Sequence, residues 1–289
     1  MLRPFRLEEP DNITDASAAL SRYGDTAKVY AGGTELLLAM KEGLIEYECL
    51  VNVKKIPGLD QVSKSNGTIH IGALATHRKL EMSPELREHL PVFVRMEQDV
   101  ANLRVREVGT LGGNLTFAEP HADPGTLLLA LDASLVVQKA GSSREIPITD
   151  FFVDAYESAV AEDEILTEIV IPTPATNAGI RYRKFGYLER PSAGLALHIV
   201  PDDKGESIRD IRIAVGCVGP KSIRVEEAEA KLRGQSMSDA AQLLSGAGET
   251  AGRAAEAIGD LHGSAEYKEH IVSVLLKRAF DDIRGALAH

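Results

Sequence analysis

The segment Ala31-Gly32-Gly33-Thr34-Glu35 decides how the rest of the chain is interpreted. Before it, Lys28-Val29-Tyr30-Ala31 has the composition of a short strand, and after it residues 35–42 have the pattern of a helix that Gly43 closes. A glycine pair at such a junction lets the main chain approach a ligand closely, and the free N–H groups of a helix N-terminus attract anions. The segment therefore predicts a site for a phosphate or diphosphate.

A second segment, Thr110-Leu111-Gly112-Gly113-Asn114, has a similar composition and predicts a second glycine turn. Each segment alone also suits a tight turn without a ligand. Neither has the Lys-Ser/Thr ending of a P-loop or the spacing of a dinucleotide fingerprint. Because the two are alike, we expect them to face each other and to hold one extended diphosphate with main-chain N–H groups and the side chains of Thr34, Thr110 and Asn114.

Charge and hydropathy exclude several classes of protein. The 289 residues carry a formal net charge of -11, whereas a nucleic-acid-binding protein needs a basic face. No run of apolar residues approaches the about 18 that a membrane span requires. Residues 1–5 lack the pattern of a signal peptide. We therefore expect a soluble, cytoplasmic protein that binds neither nucleic acid nor membrane.

Side chains that could hold a metal or perform nucleophilic catalysis are also missing from the pattern. The two cysteines, Cys49 and Cys217, form no CxxC pair, which indicates core thiols and no iron–sulfur cluster or zinc site. The eight histidines show no metal-ligand spacing. No nucleophile elbow is present. The sequence thus predicts no metal site and no catalytic residue in this chain.

The alternation of strand and helix patterns predicts an α+β protein in three units. These are a small α/β lobe (1–57), a larger α+β lobe (58–175) and a domain with three strands followed by helices (176–289). Within the second unit we expect a helix over 91–103 and an irregular loop over 117–124. In the third unit we expect strands at 180–185, 195–200 and 208–215, then helices at 221–232, 238–257 and 265–287.

Two further side chains are candidates for ligand contacts. Asp123 lies in a proline-flanked stretch, where its carboxylate could accept hydrogen bonds from ribose hydroxyls or simply begin a helix. Lys184 stands among apolar and aromatic neighbours in a predicted strand. It could reach a phosphate or a ring edge, or be a solvated strand lysine.

Taken together, these stretches resemble the FAD-binding subunit or domain of the molybdenum hydroxylases, which include xanthine dehydrogenases and aerobic carbon monoxide dehydrogenases. The resemblance rests on 28–35, 109–115 and 118–123, on 164–172, on Lys184 followed by Arg190, and on 263–267. It covers nearly the whole chain. It implies a two-lobed FAD-binding domain of the PCMH type, followed by a three-stranded antiparallel sheet with a helical bundle.

The resemblance also implies roles for individual residues. Segment 28–35 would wrap the FAD diphosphate, and Thr110, Gly112, Gly113 and Asn114 would hold it from the other lobe. Asp123 would meet the ribityl or phosphate region, Leu166 the ring system, and Lys184 the flavin. The full set of implied cofactor-binding residues is Lys28, Val29, Tyr30, Ala31, Gly32, Gly33, Thr34, Glu35, Ala101, Gly109, Thr110, Gly112, Gly113, Asn114, Asp123, Leu166 and Lys184.

The same resemblance implies partners. The chain would receive electrons from two [2Fe-2S] clusters on a small subunit, supplied by a molybdopterin centre on a large subunit, within a dimer of heterotrimers. Three features depart from the family pattern: the stretch 103–107, Gly194 where an acidic residue is common, and Thr34-Glu35 where carbon monoxide dehydrogenases have His-Ser. A stand-alone FAD-dependent oxidase and a non-catalytic nucleotide-binding module remain alternatives.

Overall fold

A computed structural model of the chain describes residues 2–186 and 190–287. Within these residues, one main sheet lies in each of the three predicted units, whose boundaries stay a prediction. Four clusters of buried apolar side chains form the cores. No helix in the described ranges combines the length and the apolar composition needed to cross a bilayer.

The first unit contains a three-stranded parallel sheet in the order β1-β3-β2. Its elements are β1 (Arg6–Glu8), α1 (Ile13–Tyr23), β2 (Ala27–Tyr30), α2 (Leu36–Lys41) and β3 (Cys49–Asn52). The Asn12 side chain accepts a hydrogen bond from the Asp15 N–H and so begins α1, which packs Ala16 and Leu20 into the core. The predicted strand, glycine turn and helix are confirmed, whereas β1 is too short to show a pattern in the sequence.

The second unit contains a five-stranded antiparallel sheet in the order β4-β5-β10-β6-β7. The strands of the whole unit are β4 (Val62–Ser65), β5 (Thr68–Gly72), β6 (Ser134–Lys139), β7 (Ser142–Pro147), β8 (Phe152–Asp154), β9 (Glu157–Ser158) and β10 (Ile165–Pro172). Strands β8 and β9 are not part of the five-stranded sheet. Its helices are α3 (His77–Met82), α4 (Pro84–His89), α5 (Pro91–Gln98), α6 (Leu103–Val108), α7 (Leu111–Phe117), α8 (Asp123–Ala130) and α9 (Ile148–Phe151).

Two expectations for this unit are wrong. The helix expected over 91–103 ends at Gln98, because Ala101 takes a left-handed conformation with φ of 42° and the Asn102 side chain caps a separate helix, α6. The loop expected over 117–124 is irregular only in its middle. Residue Phe117 still belongs to α7, and α8 already begins at Asp123.

The third unit contains the antiparallel sheet β11-β12-β13-β14, with helices packed against it. Its elements are β11 (Gly179–Phe185), β12 (Ala193–Pro201), β13 (Ile208–Gly216), β14 (Ile223–Arg224), α10 (Glu226–Leu232), α11 (Met237–Ala254) and α12 (Ala265–Leu287). The three predicted strands are present, and the two-residue β14 adds a fourth. The first helix begins at Glu226, later than the predicted start at 221.

Strand β12 joins the second and third units, because all nine of its residues are buried. Leu195 and Leu197 face the core shared with α11 and α12, whereas Ala196 on the opposite face packs in the core of the second unit. The sheet therefore lies directly on α8. This packing brings the side chains of neighbouring β11 to the N-terminus of α8.

Candidate cofactor-binding site

A cavity of about 510 Å³ is lined by residues of the first two units and by Arg190 of the third. The predicted cofactor-binding residues that line it are Lys28, Val29, Ala31, Gly32, Gly33, Thr34, Glu35, Ala101, Gly109, Thr110, Gly112, Gly113, Asn114, Asp123 and Leu166. Tyr30 and Lys184 are not on its wall. The fold thus brings together nearly all the residues that the sequence selected.

The first glycine segment crosses from β2 to α2 along this wall. Gly33 has φ of 71°, a conformation that glycine adopts without strain. A Cβ at this position would also lie 2.4 Å from Cε2 of Tyr30. The Tyr30 ring therefore packs against the turn at Gly33. The Lys54 ammonium lies 4.2 Å from the centroid of the Tyr30 ring.

The second glycine segment is a helix N-terminus and not the turn that its composition predicts. Thr110 caps α7 by accepting a hydrogen bond of 3.1 Å from the Gly113 N–H through Oγ1. Gly112 allows close packing, since a Cβ there would lie 2.6 Å from Cβ of Ala73. Gly113 lines the cavity, and a Cβ there would lie 2.8 Å from Thr110 Oγ1, the atom that caps the helix.

The first segment directly contacts the two residues that precede the second segment. A Cβ on Gly32 would lie 2.2 Å from the carbonyl oxygen of Val108 and 2.8 Å from Cα of Gly109. The Gly109 carbonyl accepts a hydrogen bond from the His77 N–H at 3.0 Å. The expected opposition of the two segments is therefore present as a contact between the first segment and the backbone that leads into the second.

Asn114 contributes an unsatisfied hydrogen-bond acceptor to the cavity wall. Its side-chain oxygen is buried and has no partner among the described residues. A buried acceptor of this kind is costly unless a donor reaches it, and a ligand with hydroxyl groups provides one. The space at Gly113, the helix N-terminus and this oxygen all fit a dinucleotide such as FAD.

Asp123 is the most deeply placed carboxylate of the cavity, with 4% of the residue exposed. Its Oδ1 accepts a hydrogen bond of 2.5 Å from the Tyr182 hydroxyl, and its Oδ2 accepts one of 3.0 Å from Lys184 Nζ. Burial raises the pKa of Asp123, although Lys184 and Tyr182 oppose the change. Lys184 thus contacts the cavity wall through Asp123. The interpretation of Asp123 as a helix start is confirmed, because it is the first residue of α8, whereas its contact with a ribose hydroxyl stays a prediction.

The same hydrogen-bond network explains why glycine stands at position 194. A Cβ at this position would lie 2.9 Å from the Tyr182 hydroxyl oxygen and 3.2 Å from Sγ of Cys217. Glycine therefore leaves room for the tyrosine that donates to Asp123. Cys217 and Cys49 are both free and buried, as expected for core thiols.

Two wall residues that the sequence did not select, His77 and Glu119, belong to side-chain clusters. His77 Nδ1 lies 2.7 Å from Oε2 of Glu97, whose residue is fully buried. Burial disfavours the charged ring, but the charge and hydrogen bond of Glu97 outweigh it and raise the pKa of His77. Burial raises the pKa of Glu97, because it disfavours the charged carboxylate. Glu97 shares a helical face with the buried residues Phe93 and Val94. A charged residue on an apolar helical face is the feature of the sequence that could have identified Glu97.

The second cluster joins the cavity to the third unit. His121 Nδ1 lies 3.0 Å from Glu119 Oε1, and its Nε2 lies 3.3 Å from Asp260 Oδ2. The buried Lys268 ammonium donates to the same Asp260 oxygen at 2.7 Å. Burial alone would raise the pKa of Asp260, but the donated hydrogen bonds hold it at about 2. No group of three His, Cys, Asp or Glu side chains within 2–186 and 190–287 is arranged to hold a metal ion.

The fold and the cavity define a class of protein: a two-lobed domain whose glycine segments line one cavity, followed by a C-terminal sheet with helices. Residues 3–174 match the family described as the FAD binding domain in molybdopterin dehydrogenase. Residues 191–283 match the CO dehydrogenase flavoprotein C-terminal domain. The chain belongs to the family of FAD-binding medium subunits of the molybdenum hydroxylases.

Similar proteins cover the chain almost completely. The nicotine 6-hydroxylase medium subunit of Paenarthrobacter nicotinovorans is 32% identical over 96% of both chains. The carbon monoxide dehydrogenase medium chain of Hydrogenophaga pseudoflava is 30% identical over 96% of both. A chain in a solved structure of carbon monoxide dehydrogenase from the same organism, which lacks the Mo-pyranopterin moiety, superposes with a TM-score of 0.94 over 99% of both chains at 30% identity.

These matches confirm the predicted family, fold class and cofactor. The chain is a flavoprotein subunit of an oxidoreductase, and FAD is its cofactor. The names of its relatives describe medium subunits of multi-subunit complexes, which favours this function over the stand-alone oxidase and the non-catalytic module.

Proposed function

We propose that this chain carries electrons between an iron–sulfur subunit and an external acceptor. The small partner subunit holds [2Fe-2S] clusters, and these are supplied by a molybdopterin centre on the large subunit. FAD, when bound, supplies reversible uptake and release of electrons. The observation that carries the proposal is the close contact between Gly32 and Gly109, both of which lie on the wall of one cavity.

The protein's own part begins with binding the diphosphate. Main-chain groups of segment 28–35 bind it from the first lobe, and the N-terminus of α7 binds it from the second. Gly113 leaves room for this approach, since nothing but Thr110 Oγ1 lies within 4 Å of a Cβ there. The buried side-chain oxygen of Asn114 accepts a hydrogen bond from a hydroxyl of the cofactor.

The groups around Asp123 orient the flavin end. Tyr182 and Lys184 hold the Asp123 carboxylate in one position, so its oxygens present a fixed acceptor to the ribityl region. Leu166 and Ala101 add apolar surface to the cavity wall. Lys184 also donates to the carbonyl of Asp99 at 2.6 Å, which ties β11 to the end of α5.

The proposed assembly is a dimer of heterotrimers in the cytoplasm. Its support is the medium-subunit designation of the relatives, together with the net charge of -11 and the absence of metal-ligand spacing in this sequence. Thr34-Glu35 does not favour carbon monoxide as the substrate of the complex. The large subunit sets that substrate.

Purification from the native host tests the proposal. We expect two companion subunits, with molybdenum, iron and acid-labile sulfide in the complex and FAD on this chain. A bound chromophore that dithionite bleaches and air restores would exclude the non-catalytic module. Turnover of a small substrate by this chain without companions would contradict the proposal and support the stand-alone oxidase.

A further inference from the structure

We propose that His77 binds the diphosphate of the cofactor through Nε2, in a position fixed by Glu97. This inference rests on the proposed cofactor site and adds to it a side chain that no glycine motif contains. The residue lies at the start of α3, on the cavity wall, with 2% of its surface exposed.

The orientation of the ring places its Cδ2 edge against Gly109. On one edge, Nδ1 is tied to Glu97 Oε2 at 2.7 Å. On the other edge, Cδ2, which is bonded to Nε2, lies 3.3 Å from the position of a Cβ on Gly109. That same position is 3.6 Å from Thr34 Oγ1. The ring therefore faces the place where Gly109 and Thr34 meet.

The hydrogen-bonding capacity of the pair is incomplete within the part of the chain that the structure describes. The imidazole is held there by the hydrogen bond between Nδ1 and Glu97, which leaves Nε2 available to a ligand in the cavity. Glu97 is fully buried, and its Oε1 has no partner. A carboxylate behind a histidine fixes the orientation of the ring and strengthens the interaction that the other nitrogen makes.

The cavity wall carries few positively charged side chains that could bind a diphosphate. Carboxylates outnumber lysine and arginine there: the acids are Asp25, Glu35, Glu119, Asp123, Glu162 and Glu164. The lysine and arginine side chains on the wall are Lys28 and Arg190, and Arg190 already faces Glu35 at 3.5 Å. Lys184 and Arg144, which do not line the cavity, pair with Asp123 and Glu164. The wall itself thus offers a diphosphate few cations, and an imidazolium beside Gly109 would add one.

The negative charge of Glu97 favours the protonated form of the ring. Burial opposes the charged form, but the Glu97 carboxylate and the more distant Asp123 outweigh burial and Arg106, and the pKa of His77 is raised. The doubly protonated ring carries a hydrogen on both nitrogens. It can then donate to Glu97 and to a phosphate oxygen at the same time.

The chain contains a matched control pair. His70 Nδ1 lies 3.1 Å from Glu168 Oε1, but both side chains are partly exposed and neither residue lines the cavity. We therefore compare His77→Asn with His70→Asn. Asparagine at position 77 keeps a donor near Nδ1 and removes Nε2.

The measurement uses the full-length protein, purified with any subunits that accompany it and freed of FAD. His77→Asn should weaken binding of FAD and of ADP by about 10- to 100-fold, as expected for a lost charge-assisted hydrogen bond, and leave adenosine binding unchanged. His70→Asn should change none of the three. Equal weakening of ADP and adenosine by His77→Asn, or no weakening, would overturn the role of His77.

A structure of the wild-type protein with FAD decides the matter even if the variant folds poorly. We expect Nε2 of His77 within hydrogen-bonding distance, about 2.7–3.2 Å, of a diphosphate oxygen. A ring nitrogen that faces another part of FAD would overturn this inference and leave the proposed function intact. Failure of the wild type to bind FAD would instead contradict the proposed function.

Discussion

Gly32 and Val108 touch across the boundary between the first two units, so closely that a Cβ on Gly32 would lie 2.2 Å from the Val108 carbonyl oxygen. This contact joins the first glycine segment to the residues that lead into the second. It explains why the first segment needs a glycine at a position whose φ is not left-handed. The requirement comes from the neighbouring backbone and not from the conformation of the turn.

Gly32→Ala should therefore separate the two segments. The added methyl group cannot fit without backbone movement, and overpacking of this kind costs about 1–3 kcal/mol. We expect lower thermal stability and at least tenfold weaker FAD binding. Gly259→Ala is the control, because a Cβ there has no contact closer than 3.5 Å. Equal FAD affinity in both variants would contradict the proposed junction.

Gly113→Ala should weaken cofactor binding. A Cβ at this position would lie 2.8 Å from Oγ1 of Thr110, so the methyl group strains the Thr110 cap of α7 and offsets the gain of up to about 1 kcal/mol in helix propensity that alanine has over glycine. We expect reduced FAD content and a stability below that of Gly246→Ala. Gly246→Ala in α11, where a Cβ meets nothing within 4 Å, should gain stability and keep its FAD. Full FAD content in Gly113→Ala would remove Gly113 from the site.

Lys184→Met should destabilise the protein by about 3 kcal/mol at neutral pH, because it leaves the buried Asp123 carboxylate without its cation. Asp123 already has a raised pKa, and the substitution raises it further. A raised pKa means that stability is lost as pH rises, so the difference from wild type should shrink in acid.

Urea unfolding of the FAD-free protein at several pH values measures this effect. Lys139→Met serves as the control, since Lys139 and Asp163 form a partly exposed pair at 3.1 Å. That pair should contribute no more than about 1 kcal/mol. Similar losses in the two variants would show that Asp123 is not a buried carboxylate dependent on Lys184.

Asp260→Asn should lower stability at neutral pH by about 1 kcal/mol, a value reduced for the partial exposure of the carboxylate. The pKa of Asp260 is lowered from 3.8 to about 2, so its contribution is present above pH 3.8 and is lost as pH falls through about 2. The two proteins should therefore converge in strong acid.

The control for this experiment is Asp203→Asn, whose side chain is 95% exposed. It should change the free energy of unfolding by less than about 0.5 kcal/mol. A difference between Asp260→Asn and wild type that persists unchanged at pH 2 would contradict the assigned hydrogen bonds from Lys268.

Local patterns in the sequence predicted the parts of the fold that depend on local interactions. The strand at 27–30, the glycine turn and the three long strands of the third unit follow from apolar periodicity and from Gly33. The helical state of Gly112 and Gly113 did not follow, because glycine has low helix propensity. There the Thr110 cap and the contact of Gly112 with Ala73 decide the conformation, and both are visible only in the folded chain.

The candidate site shows the same division. The residues around the glycine segments line one cavity, as their resemblance to each other predicted. The pairing of His77 with Glu97 was not predicted, since the two are 20 residues apart and lie on different helices. The two members of such a pair have no fixed separation in the sequence. It is recognised only by burial and distance.

The FAD content of the purified protein tests the central claim most directly. The protein, isolated alone or with its partner subunits, should show the visible absorbance of a flavin, and denaturation should release FAD equimolar with this chain. Its FAD-free form should recover the cofactor on reconstitution. A protein that contains no flavin and takes up none when FAD is added, although it is folded and complete, would contradict the account.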